Sequence, residues 1–215
     1  MGGLEKAVSA LIKGEFVMLH DGKGRENEAD MVLLAERITP EKVRQMRKDA
    51  GGLICVSMDM IAAKRLKLPF ALSVLEAAKN PLAPMGRKKT AYGDMPAFSI
   101  SINHLSTFTG ITDNDRAKTI LEFAKLVKRK GGVSEFKGNF RAIGHVFLLV
   151  SRGLENRRGH TELSVELAKR AGANPVLVLC EMLSDTGNAA TRQEAMYYAR
   201  KKKLAFLEGK ELVRG

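Results

Sequence analysis

The sequence predicts a layered α/β domain built on a mixed β-sheet. Segments with apolar residues at helical spacing alternate with short apolar runs typical of strands along most of the 215 residues. The first two strand-like segments, 15–20 and 30–36, are expected to form a hairpin, which adds an antiparallel pair to the sheet. No repeat, low-complexity tract or linker divides the chain, so we expect one domain over residues 1–215.

Helix and strand signals define the other elements of the first half. Thr39-Pro40-Glu41 combines an N-cap, a proline at the first helical position and an acidic first turn, which predicts a helix that ends at Gly51-Gly52. Three prolines and a basic run within residues 79–97 predict a long loop, which is either functional or a surface insertion. The remaining predicted elements are a helix at 4–13, a buried strand at 53–58 and a helix from Asp59 that ends before Pro69.

The second half continues the alternation of helices and strands. Asp113 is predicted to cap a helix that ends at Gly131-Gly132. Thr191-x-x-Glu194 is a capping box that begins the last long helix. The remaining predicted elements are a helix from Thr161 to Gly172 and strands at 98–102, 145–150, 176–182 and 204–207.

Composition narrows the class of protein. Apolar residues at 45% and charged residues at 28% exclude a disordered chain, and there is no apolar run near 18 residues and no signal-peptide pattern. We therefore expect a cytoplasmic protein without a membrane partner. Cys55 and Cys180 each lie in an apolar segment and are expected to be buried, reduced thiols.

The net charge of +12 predicts an anionic partner, which is either nucleic acid or a phosphorylated metabolite. Aromatic residues make up only 6% of the chain and do not cluster as a platform for stacking bases. Nucleic-acid binding would also leave the acidic residues described next unexplained. We therefore expect no nucleic-acid partner.

The stretch from Gly24 to Asp30 has the clearest chemical signature. Glu26, Glu28 and Asp30 would share one face of an extended chain, because side chains alternate along a strand. Three carboxylates on one face repel each other unless they are solvated, paired with basic side chains or gathered round a cation. A hard divalent cation is the favoured interpretation, and an exposed acidic edge strand is the alternative.

A second motif, Arg157-Arg158-Gly159-His160-Thr161, combines two guanidinium groups with the predicted start of a helix. Free backbone N–H groups and the helix dipole favour an anion there, so the motif predicts a phosphate site. A capped helix with solvated arginines is the alternative.

His145 and Glu181 are the remaining candidates. His145 begins an apolar strand and is either a structural residue or a proton carrier. Glu181 ends an apolar run, where a carboxylate is either partly buried and able to exchange protons near neutrality or paired with a lysine. Metal-binding carboxylates, proton carriers and a phosphate site together suit enolisation of a phosphorylated sugar. An isomerase or aldolase would need the same groups.

Six motifs, in this order, resemble those of the 3,4-dihydroxy-2-butanone 4-phosphate synthase family of riboflavin biosynthesis. They are Asp21-x-x-x-Arg25-Glu26-Asn27-Glu28-Ala29-Asp30-Met31, Thr90-Ala91-Tyr92-Gly93, Thr109-Gly110-Ile111-Thr112-x-x-Asp115-Arg116, Gly144-His145-Val146-Phe147, Arg157-x-Gly159-His160-Thr161-Glu162, and Ala171-Gly172-x-x-Pro175-x-x-Val178-Leu179-Cys180-Glu181. The resemblance covers most of the chain. It implies a three-layer α/β domain with a mixed sheet flanked by helices, in a homodimer with active sites near the subunit interface.

The resemblance also implies residue roles. Glu26 and His160 are expected to bind Mg²⁺, for which Mn²⁺ is a candidate substitute, and His145 and Glu181 are expected to transfer protons. The expected substrate contacts are Arg25, Glu26, Glu28, Asp30, Thr112 and Glu181, with Arg157, Arg158, Gly159, His160 and Thr161 around the phosphate. The implied reaction converts D-ribulose 5-phosphate to L-3,4-dihydroxybutan-2-one 4-phosphate and formate, here in the stand-alone form of the enzyme.

Overall fold

A seven-stranded mixed sheet forms the centre of the computed structural model, which describes residues 2–213. The strand order is β4-β5-β3-β6-β2-β1-β7, with β1–β7 and β3–β5 parallel and the other neighbouring pairs antiparallel. The strands are β1 (Val17–His20), β2 (Ala29–Leu34), β3 (Cys55–Met58), β4 (Phe98–His104), β5 (Phe140–Val150), β6 (Val176–Glu181) and β7 (Ala205–Glu208). The predicted hairpin is confirmed, because Val17 pairs with Val32 and Leu19 with Asp30.

Ten helices accompany the sheet in the described part of the chain. They are α1 (Gly3–Lys13), α2 (Pro40–Gln45), α3 (Met60–Leu66), α4 (Ala71–Ala77), α5 (Ala83–Gly86), α6 (Asp113–Lys128), α7 (Val133–Asn139), α8 (His160–Arg170), α9 (Arg192–Lys202) and α10 (Gly209–Val213). A π-helical turn, Met46–Ala50, continues α2 to Gly51, so the predicted end of that helix is confirmed. The short helices α4, α5, α7 and α10 were not predicted, because each spans too few turns to show helical periodicity.

Two hydrophobic cores, one on each face of the sheet, confirm the three-layer architecture. Met18, Met31 and Val56 face the core formed with α2, α3, α6 and α9, whereas the alternate residues face the core formed with α1, α8 and α10. Cys55 lies on the second of these faces and Cys180 on the first, and both are buried free thiols as predicted. Among residues 2–213, no helix combines the length and the apolar character needed to cross a bilayer.

Two helices begin one residue earlier than predicted. The N-cap of α6 is Thr112, whose hydroxyl accepts a hydrogen bond from the Asp115 N–H at 3.1 Å. Asp113 is therefore the first helical residue and pairs with Arg47 at 2.9 Å. The N-cap of α8 is Gly159, so His160 and Thr161 both lie in its first turn.

Strand β5 starts five residues before the predicted position and contains a bulge. Ile102 of β4 pairs with Val146, but the next residue, Asn103, pairs with Arg141, so residues 142–145 leave the backbone ladder with β4. The N–H groups of Gly144 and His145 instead donate to the side chains of Ser101 and Asn103. Gly144 allows this close approach, because an added Cβ would overlap the backbone of Ile102. The bulge turns its side chains outward, and Ile143 is 86% exposed.

Three phenylalanines anchor the N-terminal end of β5. The ring of Phe123 in α6 is fully buried, and its centroid lies 6.2 Å from those of both Phe136 and Phe140. Aromatic rings at this separation interact favourably in addition to the apolar surface that they bury.

We therefore expect Phe123→Ala to lower the free energy of unfolding by about 3–5 kcal/mol, because it removes a large buried ring and leaves a cavity. Urea unfolding followed by circular dichroism measures the change. Tyr197→Ala, at a residue whose side chain is largely exposed, is the matched control and should change stability by less than about 0.5 kcal/mol. A loss below about 1 kcal/mol for Phe123→Ala would contradict a tightly packed aromatic cluster.

Candidate active site

The candidate site lies where β2 begins, β6 ends and α8 starts. Asp30 of β2 is directly opposite Glu181 of β6, so their side chains point to the same face of the sheet. This is the face covered by α8, whose first residue is His160. The antiparallel pairing of β2 with β6 thus brings together residues that are far apart in the sequence.

The acidic loop before β2 folds around Asp21 and is not extended. The carboxylate of Asp21 accepts hydrogen bonds from the backbone N–H groups of Glu26, at 2.9 Å, and Glu28, at 3.1 Å. Asn27 between them has a φ of 57°, and β2 starts only at Ala29. The prediction that three acidic side chains alternate along one strand is therefore wrong, because the positive φ breaks the extended conformation. Glu26 and Asp30 still line one cavity, whose described lining does not include Glu28.

His160 is the residue around which these acids gather. Its Nδ1 lies 3.5 Å from Glu26 Oε2 and 3.6 Å from Asp30 Oδ1, and its Nε2 lies 3.2 Å from the backbone carbonyl of Glu28. A carbonyl oxygen only accepts hydrogen bonds, so Nε2 carries the proton in the neutral ring. The lone pair of Nδ1 then points at the carboxylates. This is the usual arrangement of a metal-binding histidine.

Asp21, Glu26 and His160 each offer a ligand atom within 4.8 Å of the other two. Sequence reasoning assigned no role to Asp21, although it begins the first of the motifs above. Asp30 is 1% exposed, and its Oδ1 is buried without a hydrogen-bond partner among the described residues. A buried carboxylate oxygen without a donor is costly, and a bound cation would remove that cost.

The electrostatics of the cluster agree with a cation site. Burial raises the pKa of Asp30, and the nearby carboxylates raise it further. The hydrogen bond to His160 lowers the pKa of Glu26. Burial would lower the pKa of His160, but the charge of Asp30 and the hydrogen bond to Glu26 raise it overall. The raised pKa values of Asp30 and His160 reflect buried negative charge beside one imidazole, and the lowered pKa of Glu26 reflects its contact with that imidazole.

Arg157 and Arg25 form a second, basic part of the site. Arg157 is buried, and its Nη1 donates a hydrogen bond of 2.6 Å to Glu162, which is 1% exposed. Both guanidinium groups contact Asp94 from the long loop, at 2.9 Å in the case of Arg157 Nε. Sequence reasoning did not assign Glu162 or Asp94, because neither their burial nor their partners can be read from the local pattern.

Gly159 allows the two arginines to approach the start of α8. A Cβ at this position would lie 2.8 Å from Arg25 Nη2 and still closer to the guanidinium of Arg157. Thr161 is buried in the first turn of the helix. Two guanidinium groups, free backbone N–H groups and a helix N-terminus therefore converge, which is the arrangement that binds phosphate. Arg158 is exposed and lies at the outer edge.

A cavity of about 200 Å³ connects the acidic and basic parts. Glu181 is held at its wall by a hydrogen bond of 2.8 Å from the Leu53 N–H, and within residues 2–213 it pairs with no lysine. Cys55 also lines the cavity, and burial raises the pKa of its thiol, which favours a packing role over a reactive one. The lining residues include Glu26, Asp30, Tyr92, Arg157, His160 and Thr161.

His145 and Thr112 lie outside this cavity. Of the residues described, those lining the cavity do not include either of them. His145 is exposed in the β5 bulge, where its Nδ1 lies 3.1 Å from the Asn103 side chain. The same Asn103 amide donates to the carbonyl of Thr109, which ties His145 to the loop before α6. A single chain therefore brings together the predicted metal and phosphate residues but not these two.

Comparisons with known proteins identify the family of the chain. The family model for 3,4-dihydroxy-2-butanone 4-phosphate synthase matches residues 5–215. A relative of that name from Methanothermobacter thermautotrophicus is 43% identical over 98% of this chain and 94% of its own length. Riboflavin biosynthesis protein RibBA of Bacillus cytotoxicus is 34% identical over 98% of this chain, which spans 48% of that protein.

Solved structures show the same fold. A 3,4-dihydroxy-2-butanone 4-phosphate synthase in complex with two magnesium ions superposes with a TM-score of 0.79 at 28% identity, covering 100% of this chain and 96% of that one. RibBX, a two-domain synthase from A. baumannii, gives a TM-score of 0.81 at 27% identity, covering 98% of this chain and 56% of that one. On this sequence match, this fold and this arrangement of residues, the chain belongs to the 3,4-dihydroxy-2-butanone 4-phosphate synthase family of enzymes.

Proposed function

We propose that the protein catalyses the Mg²⁺-dependent conversion of D-ribulose 5-phosphate to L-3,4-dihydroxybutan-2-one 4-phosphate and formate, which supplies the four-carbon unit for riboflavin. The observation that carries the proposal is one cavity lined by carboxylates and a histidine at one end and by Arg157 and the start of α8 at the other. Family membership and the two magnesium ions in a related synthase support it. We propose a cytoplasmic enzyme in which Mn²⁺ can replace Mg²⁺.

Glu26 and His160 are the proposed metal ligands. The buried, unpaired oxygen of Asp30 and the Nδ1 lone pair of His160 fit a divalent cation beside them. Asp21 holds the acidic loop in place through two backbone hydrogen bonds and lies near enough to join the ligands. A cation bound there supplies Lewis-acid stabilisation of negative charge on substrate oxygens.

The basic end of the cavity positions the substrate. Arg157, Thr161 and the backbone amides after Gly159 are proposed to hold the phosphate, with Arg25 beside them and Arg158 at the edge. The sugar carbons then extend toward the acidic end, where Glu28 and Asp30 contact the hydroxyls. Anchoring by the remote phosphate fixes the reacting carbons near the proton carriers.

Glu181 and His145 are proposed to transfer the protons. Enolisation needs a base beside the carbon next to the carbonyl, and Glu181 is a carboxylate fixed at the cavity wall. A second group must return protons at other positions as the carbon skeleton rearranges. The imidazole of His145 can both accept and donate a proton, but the side chain needs access to the cavity.

We propose that a second copy of the chain supplies this access in a homodimer. Leu105, Phe108, Ile111 and Ile143 form an exposed apolar patch around His145 and Thr112, in which Phe108 is 93% exposed. The side chain of Arg141 donates to the Phe108 carbonyl at 3.2 Å, so the patch is one surface. Exposed apolar surface of this kind marks an interface. A symmetric dimer would place His145 and Thr112 of one subunit in the cavity of the other.

Formate release tests the reaction. Purified protein is incubated with ribulose 5-phosphate with and without Mg²⁺, and formate and the four-carbon phosphate are measured. Formate that forms only with the metal supports the proposal. Substrate consumption without formate would instead indicate an isomerase or aldolase.

Glu26→Gln should lower turnover by at least about 100-fold, because an amide is a poor ligand for Mg²⁺ and the proposed site loses a charge. The fold should persist, since Glu26 lies in a partly exposed loop. Formate assays across a range of Mg²⁺ concentrations measure the effect. Glu36→Gln, at a surface acid paired with Lys128, is the matched control and should behave as wild type. Near-normal activity of the Glu26 variant would exclude it as a ligand.

Arg157→Lys should raise KM for ribulose 5-phosphate about tenfold, because lysine keeps the charge but loses the planar fork that binds phosphate. We choose lysine because alanine would leave the buried Glu162 unpaired and destabilise the fold. Steady-state kinetics separate KM from kcat, and kcat should change little. The exposed Arg87→Lys is the control. An unchanged KM would remove Arg157 from the phosphate site.

Mixing two inactive variants tests the shared site. Glu26→Gln and His145→Ala homodimers should each lack activity, whereas a mixture unfolded and refolded together should recover about a quarter of wild-type activity. Random pairing makes half the dimers hybrid, and each hybrid has one intact site of two. Activity that does not recover, in a mixture shown to contain hybrid dimers, would place His145 in the site of its own chain.

A further inference from the structure

Asp94 lies between Arg25 and Arg157, where the proposed function places the substrate phosphate. Its Oδ2 accepts a hydrogen bond from Arg25 Nη1 and lies 2.9 Å from Arg157 Nε. It belongs to the Thr90–Asp94 turn, which is closed by a hydrogen bond of 3.0 Å from the Thr90 N–H to the Asp94 carbonyl. A carboxylate bound to two guanidinium groups resembles a bound phosphate in charge and geometry.

The turn is attached to the site through this carboxylate and one aromatic ring. The guanidinium of Arg25 lies over the ring of Tyr92, 4.8 Å from its centroid, and Tyr92 lines the same cavity as Glu26. Both anchors use groups that the substrate would also use. The position of the turn is therefore coupled to the occupancy of the site.

Asp94 also neutralises the arginine pair. Arg157 is already paired with the buried Glu162, so the two guanidinium charges are balanced by two carboxylates. Partial burial raises the pKa of Asp94, but the hydrogen bond from Arg25 lowers it overall, so the group is ionised. An incoming phosphate dianion thus meets a less positive site as long as Asp94 stays than it does once Asp94 leaves.

The arginines have more donors than Asp94 can satisfy. Among the described residues, Arg25 Nε and Arg25 Nη2 are buried without a hydrogen-bond partner, and Arg157 Nε has an ion-pair contact with Asp94 but no hydrogen bond. A phosphate has three terminal oxygens, against two in a carboxylate, and could accept from more of these groups. Glu162 is buried and fixed, whereas Asp94 is 23% exposed on an irregular loop, so Asp94 is the removable anion.

We propose that Asp94 is an internal competitor for the phosphate subsite, which substrate phosphate displaces together with the Thr90–Asp94 turn. Asp94 thereby sets the affinity of the enzyme for phosphate esters. The inference rests on the proposed function in one respect, the assignment of Arg157 and Arg25 to phosphate. If Asp94 instead only orients the arginines, its removal should weaken phosphate binding.

Calorimetric titration with inorganic phosphate distinguishes these roles. Asp94→Asn should bind phosphate about tenfold more tightly than wild type, which corresponds to about 1.4 kcal/mol. Glu76→Gln is the matched control, because it removes a charge from α4, where Glu76 pairs with Arg87 and not with Arg25 or Arg157. Its affinity for phosphate should stay within about twofold of wild type. Unchanged or weaker binding by Asp94→Asn would overturn the proposal, as would equal tightening by both variants.

Hydrogen exchange on the wild-type protein provides a second test that needs no variant. Saturating phosphate should increase exchange in peptides that cover residues 88–97, because the turn is released, whereas bound phosphate should protect the start of α8. Protection of both segments would mean that Asp94 stays in place and would overturn the proposal. These measurements involve no turnover, so formate release by the wild type still tests the reaction separately.

Discussion

The burial of carboxylates beside one histidine is the constraint on which the site depends. Asp30 and Glu181 face each other at the end of two paired strands, and His160 closes the space above them from the start of α8. Buried carboxylates at this density favour a bound cation. In the neutral ring of His160, the hydrogen bond from Nε2 to the Glu28 carbonyl leaves the Nδ1 lone pair facing these carboxylates. The acidic loop, folded on Asp21, brings Glu26 to the same point.

The basic end of the cavity is also built from buried charged side chains, here of positive charge. Arg157 is held by the buried Glu162, and Gly159 leaves room for both arginines at the helix start. Asp94 balances the remaining charge in the absence of a ligand. In the proposed function, a cation site at one end of the cavity and a phosphate site at the other would orient a phosphorylated sugar, because each end would accept only one part of it.

The β5 bulge connects the candidate active site with the proposed dimer. Residues 142–145 leave the ladder with β4 and expose Ile143 and His145 beside Phe108. We propose that a second subunit covers this exposed apolar surface, which surrounds polar residues that the cavity of the same chain does not use. The unusual feature of the sheet and the incomplete site thus have one proposed cause.

The sequence by itself determined the alternation of helices and strands, the first hairpin, the capping box at Thr191 and the acidic and basic motifs. These are local properties, because each depends on the type and spacing of a few neighbouring residues. The roles of Asp21, Glu162 and Asp94, the bulge and the separation of His145 from the cavity were decided only by tertiary structure. Asp94 meets Arg25 across 69 positions of sequence, and Glu181 meets Leu53 across 128. Contacts of that range depend on strand order and loop conformation, which no local pattern specifies.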